Sequence, residues 1–110
     1  MFYIDFFFTL FYDVIMIKEE NYEYPIDPDW NQATLLATID LYNVVEAVYE
    51  SSIKRDVFLK KYRDWQNAVP MKMERRNLSK EFEEQSSYSI YQVWKLANAD
   101  KNKKTLRIRN

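Results

Sequence analysis

The stretch QATLLATIDLYNVVEAVYE, residues 32–50, decides the fold. Within it Leu35, Ile39, Tyr42, Val45 and Tyr49 recur at three- and four-residue steps, the spacing of one helical face. Leu41, Val44 and Val48 widen that face on one side, and at about 100° per residue the polar Asp40, Asn43 and Glu50 fill the narrow strip that remains. An apolar arc this broad suits a helix touched by several neighbours, so this helix is expected at the centre of the domain. Asn31 is a good N-cap, and with Asn31 in that role Trp30 and Leu35 take the two positions of a hydrophobic staple. Ser51 and Ser52 end the pattern.

Working outward, Pro25 and Pro28 fix their own φ and push the residues before them away from helical geometry, which predicts an extended lead-in. A second helix is expected from about Arg55 to Val69, with Phe58, Tyr62, Trp65 and Val69 on one narrow face and Lys60, Arg63 and Asn67 opposite. Pro70 stops it. A third, from about Met71 to Gln85, has only a thin stripe of Met71, Leu78 and Phe82 with the stem of Arg75 between them, the mark of an edge helix. A fourth, shorter pattern groups Ile90, Val93, Trp94 and Ala97, with Ser87 or Ser89 available as its cap. No run of strict alternation is present. The expected fold is all-α: a compact irregular four-helix array with an extended Pro-containing lead-in and an aromatic N-terminal extension. Its divisions are residues 1–15, the extension; 16–99, the helical domain; and 100–110, a basic tail. In the tail, Leu106 and Ile108 are isolated among Lys101, Lys103, Lys104, Arg107 and Arg109, and the segment is expected to fray.

Composition narrows the chemistry. The 110 residues include no histidine, cysteine or glycine. Without imidazole or thiolate there is neither a zinc site of the usual ligand types nor a Ser-His or Cys-His nucleophile pair. Without glycine no backbone loop closes tightly around a phosphate, which excludes the Walker and dinucleotide fingerprints. A chain of this length supports one domain that buries roughly 65% of its unfolded surface. With 16 basic and 17 acidic residues the net charge is -1, so there is no global field to attract nucleic acid. The absence of cysteine rules out disulfides and leaves the cytoplasm as the expected compartment.

The first fifteen residues crowd together Phe2, Tyr3, Phe6, Phe7, Phe8, Phe11 and Tyr12. No Lys or Arg precedes Lys18, against a secretory signal, and Asp5 and Asp13 interrupt a run that is already short of the ~20 apolar residues a spanning helix needs. No membrane span is expected. Two readings stay open: a segment that packs on the domain or on a second chain, making homo-oligomers, and an extension upstream of a natural start at Met16.

Five pieces of the sequence, in order, are Tyr24-Pro25-Ile26-Asp27 with Asp29-Trp30; Val45-Glu46-Ala47-Val48-Tyr49-Glu50; Tyr62-Arg63; Val69-Pro70; and Lys80-Glu81-Phe82-Glu83-Glu84 leading to Ser86, Tyr88-Ser89 and Tyr91. Together they make residues 22–97 resemble the UPF0223 family, small uncharacterised proteins of Firmicutes. The resemblance implies a compact four-helix array of about ninety residues starting near Met16, and it implies no chemistry. Two departures stand out: Ser87 where the family usually has glycine before the Tyr-Ser pair, and Met71 where it has a serine able to cap the third helix. If Ser87 must be left-handed at a helix end, it costs roughly 1 kcal/mol relative to glycine.

The candidate partner-binding residues are Tyr24, Asp27, Asp29, Trp30, Glu83 and Glu84. Asp27 and Asp29 are paired carboxylates beside the rings of Tyr24 and Trp30, although aspartates next to proline serve turns equally well. Glu83 and Glu84 flank Phe82 on the edge helix, behind the basic Lys72, Arg75, Arg76 and Lys80, a mixture that reads most simply as a solvated face. Glu46 and Glu50 lie one turn apart at the margin of the polar strip and are expected to be exposed, which does not poise either as a proton donor. No catalytic, cofactor-binding or metal-ligating residue is assigned, and no cofactor is expected. The expected function is a protein-binding or regulatory module without catalytic activity, because tyrosine and tryptophan are abundant and such residues are enriched at interfaces. The alternative is a nucleic-acid-associated regulator using the basic tail, although nucleic acid is not the favoured partner because the tail lacks stacking aromatics.

Overall fold

A computed structural model describes residues 23–109. The aromatic extension and the start at Met16 lie outside the described residues. The elements are α1 (Gln32–Glu50), β1 (Ile53–Lys54), α2 (Arg55–Ala68), α3 (Lys72–Ser86), α4 (Ile90–Ala99) and β2 (Thr105–Leu106). The chain is mostly helical, as the periodicities require, with one very small sheet. No described helix is long and apolar enough to cross a membrane.

Helix α1 begins where Asn31 Oδ1 accepts the backbone N–H of Thr34 at 2.8 Å. Its broad apolar arc is the centre of the core: Leu41, Tyr42, Val45 and Val48 are fully enclosed, and α1 packs most extensively on α2. Phe58 and Trp65 come to that core from α2, Leu78 and Phe82 from α3, and Ile90, Val93 and Ala97 from α4. The rings of Tyr42 and Phe82 stack at 4.5 Å with an interplanar angle of 5°. The thin stripe of α3 places it at the edge, as expected, except that Met71 is 67% exposed. Met71 precedes the helix with extended backbone, φ -79° and ψ 119°, so it leaves the line of Leu78 and Phe82 and offers no side-chain cap.

Helix α3 ends at Ser87, whose φ of 68° and ψ of 8° put a non-glycine residue in the left-handed region. Of the two serines available to cap α4, Ser89 does so, accepting from Gln92 N at 3.1 Å.

The tail does not fray. Thr105–Leu106 pairs antiparallel with Ile53–Lys54, in register Ile53 to Leu106 and Lys54 to Thr105. Arg55 N donates to Lys104 O at 2.9 Å and Ile108 N to Val48 O at 2.9 Å. Leu106 is fully buried and Ile108 packs against the core. The apolar residues two apart are thus explained by pairing with a segment half the chain away, which local periodicity does not contain.

Candidate functional site

Of the six sequence candidates the structure brings Tyr24 and Glu84 to one hollow, beside the lead-in and α3, and separates the others. Tyr24 is a buried core residue, with its ring 5.1 Å from that of Tyr42. Asp27 closes a turn: its Oδ1 accepts from Asp29 N at 2.9 Å and its carbonyl from Trp30 N at 3.1 Å. Trp30 is half-buried against the core, and Asp29 is exposed. Glu83 and Glu84, exposed on α3, face different hollows: Glu83 lines one with Lys95 of α4, and Glu84 another with Tyr24, Glu23 and Glu81. Among the described residues no three carboxylates gather as a metal site.

Glu46 corrects the sequence reading. It is only 1% exposed, because the extended lead-in crosses that flank of α1. Tyr24 Oη donates to Glu46 Oε1, and Asn43 Oδ1 lies 2.9 Å from the same hydroxyl. A hydroxyl has one proton to give, so the two oxygens share that single donor. Beside this network Tyr42 Oη donates to the carbonyl of Pro25 at 2.7 Å. Burial holds the Tyr24 and Tyr42 hydroxyls well above the ordinary tyrosine range, with the charge of Glu50 adding to the first and that of Glu81 to the second. Next to them Tyr49 stacks on Tyr88 at 4.5 Å, Tyr88 Oη donates to Glu50 at 2.9 Å, and Ser89 N donates to Tyr49 Oη at 3.1 Å. Burial first, and then the bond to Glu50, push the Tyr88 hydroxyl up to about 12. These contacts join the lead-in, α1 and the α3–α4 turn. They are architecture: each polar group is engaged by another part of the same chain.

A different face has the features of a site. Helices α2, α3 and α4 enclose a groove of about 700 Å³, within the roughly 300–1,000 Å³ range of small-ligand sites. Tyr62 and Trp65 of α2 line it from one side, and the indole N–H of Trp65 is buried and has no acceptor among the described residues. From α3, Lys72, Arg75 and Arg76 stand three and four residues apart along its wall. From α4 come Tyr91, 58% exposed, and Trp94, 37% exposed. Their rings lie 6.1 Å apart and nearly parallel at 18°, and the ammonium of Lys95 sits 5.8 Å over the Tyr91 ring. Arg75 is fixed in place, donating from Nη1 to Val69 O at 2.7 Å. It lies near enough to Tyr62 to favour the ionised phenol, yet burial is the larger influence and raises that hydroxyl. The described lining residues include no carboxylate.

Sequence reading missed this groove. It placed Trp94 with the buried face of α4 and took the α3 cations as ordinary solvated surface. The one signal available was Tyr91, an aromatic residue off the Ile90, Val93, Ala97 stripe and three residues before Trp94.

Comparison with known proteins supplies kinship and no activity. The profile described as "Uncharacterised protein family (UPF0223)" matches residues 21–106. A UPF0223 protein of Lactococcus lactis subsp. cremoris is 36% identical over 81 residues, covering 74% of this chain and 87% of the relative. One from Staphylococcus saprophyticus is 36% identical over 84 residues, 76% and 91% of the two chains. One from Bacillus mycoides is 33% identical over 88 residues, 80% and 99% respectively.

Proposed function

The chain belongs to the UPF0223 family, and from that premise we propose that it is a protein-binding module without catalytic activity whose contact face is the groove between α2, α3 and α4. A cytoplasmic setting goes with this reading. One observation carries it: two large aromatic rings, those of Tyr91 and Trp94, stand partly exposed side by side at a concave surface rimmed by cations. Trp, Tyr and Arg are the residues over-represented among interface hot spots, and a pocket edged by such residues is where a partner side chain is desolvated. No residue is given a catalytic role. The buried carboxyl, Glu46, is engaged by Tyr24, and the groove offers cations and rings but no carboxylate or imidazole to move a proton.

The test is site-specific photocrosslinking in the native cell. A photoreactive phenylalanine analogue at Tyr91 is expected to form a discrete adduct that Trp94→Ala removes; the same analogue at Lys60, an exposed position on α2 outside the groove, is expected to form none. Equal adducts from both positions, or none from Tyr91, would defeat the reading.

A second reading, contact with a phosphate backbone through the tail, is favoured by one specific feature. The β1–β2 pairing gathers Lys54 and Arg55 with Lys101, Lys103 and Lys104 around one hollow. Because Leu106 belongs to the core, deletion of the tail would confound binding with unfolding. Replacing Lys101, Lys103 and Lys104 by Gln is the cleaner test, and a gel shift unaffected by that change disposes of the idea.

A further inference from the structure

We propose that the groove recognises an acidic protein segment, one or two carboxylates beside an aromatic or long apolar anchor; this rests on the groove being the contact face. The charge order of α3 is the first reason. Lys72, Arg75, Arg76 and Lys80 occupy its first two and a half turns, with Glu74 the one acidic residue there, and Glu81, Glu83 and Glu84 crowd its end. That order opposes the helix dipole, which favours anions at the N-terminal end and cations at the C-terminal end. Stability of α3 therefore does not account for the cations, although Arg75 also serves the C-terminal end of α2 through Val69 O. Nor do ion pairs: among the described residues Lys72, Arg75 and Arg76 have no carboxylate within bonding distance. Among the described residues Lys72 and Arg76 stand on one wall without a carboxylate partner, and Arg75, held by the Val69 carbonyl, adds its charge beside them; together they complement an anionic ligand.

The other lining groups state what accompanies the charge. Tyr91 and Trp94 give a flat apolar platform opposite the cations, on which an aromatic or long aliphatic side chain would lie. Trp65 adds a buried N–H donor that has no acceptor among the described residues, a group that an oxygen-rich ligand suits and a hydrocarbon does not. The positive region is short. The carboxylates of Glu81, Glu83 and Glu84 begin within two turns of Arg76 on the same helix, so a long polyanion would run from attraction into repulsion, whereas a short acidic peptide engages the cations alone.

The experiment titrates the full chain, labelled with ¹⁵N, with three probes: a short synthetic peptide alternating Glu with Trp and Leu, the same peptide with Gln for every Glu, and a short oligouridylate. The acidic peptide is expected to shift the Trp65 and Trp94 indole signals and the Lys72–Ser79 amides, and to bind about 10-fold more tightly than its Gln counterpart. Arg76→Glu, at an exposed position, should remove that preference while leaving the folded spectrum intact. If both peptides shift the groove signals with equal affinity, the groove binds protein but the acidic specificity is wrong. If oligouridylate binds the groove more tightly than either, the partner class is wrong. If no probe moves these signals, the proposal is overturned, and the crosslinking at Tyr91 decides separately whether the face binds protein at all.

Discussion

Replacing Ser87 by glycine should stabilise the protein, although it removes a side chain from an ordered turn. Ser87 has φ 68° and ψ 8°, and its backbone N–H closes the end of α3 on Glu83 O at 2.8 Å. The side chain is exposed and forms no hydrogen bond with the described residues, so its removal forfeits nothing there. Relief of the left-handed conformation contributes about 1–2 kcal/mol, and the extra freedom of glycine in the unfolded chain takes back about 0.5–1 kcal/mol. The net gain is about 0.5–1 kcal/mol, which at a urea m-value of about 1–2 kcal/mol/M moves the midpoint upward by about 0.3–1 M. Urea titration followed by far-UV circular dichroism measures this directly. Ser87→Val, β-branched and intolerant of positive φ, should move the midpoint in the opposite direction. Glycine and valine variants that both unfold where the original does would show that the turn is not left-handed in solution, and the strain argument would fall.

Three other consequences are open to measurement. Tyr24→Phe leaves buried Glu46 without the hydroxyl that donates to it and should cost about 1.5–3 kcal/mol in the same urea titration; a loss under about 0.5 kcal/mol would mean that the lead-in does not cross α1 as described. Leu106→Ala empties a fully buried position and should cost about 2–4 kcal/mol, whereas a freely fraying tail would show no change. For alkaline stability the sign follows from Tyr24, Tyr42 and Tyr88, whose folded-state values all lie above the ordinary tyrosine value of about 10. The unfolded chain releases those protons first, so stability is complete below about pH 10 and falls as pH rises toward 12. Tyr88→Phe should flatten that decline, and an unchanged slope would contradict the assigned environment of Tyr88.

What the sequence discloses follows the range of the interactions. The helix at residues 32–50, the breaks at Pro70 and Ser87 and the edge position of α3 depend on neighbours three or four residues away, which periodicity and turn chemistry record. Glu46 depends on the lead-in lying across α1: a helical projection sets it beside polar Asn43 and Glu50, and nothing local shows that Tyr24 will close over it. Leu106 depends on Ile53, far away in sequence, so its two-residue spacing from Ile108 passes for noise among lysines. The groove is hidden in the same way. Its cations, rings and donor come from three helices, and each taken alone resembles a solvated face or a core stripe.

The placement of that groove also separates binding from folding. Helix α4 has ten residues, too few for stability in isolation. Its attachment comes from Ile90, Val93 and Ala97 on the inner face and from Arg55, whose Nε donates to Ala97 O at 2.7 Å. Tyr91, 58% exposed, and Trp94, 37% exposed, contribute less to that attachment than these enclosed residues do. If their only role were to fill space, smaller residues would leave the core closed and remove exposed apolar area that promotes self-association. A protein whose stability needed Trp94 would lose both fold and function together when it is changed. Here Trp94→Ala should lower the urea midpoint by far less than Leu106→Ala does, while removing the crosslink from Tyr91. A substitution that abolishes contact and leaves folding nearly intact identifies a surface retained for a partner, and the opposite ranking of the two variants would return Trp94 to the core.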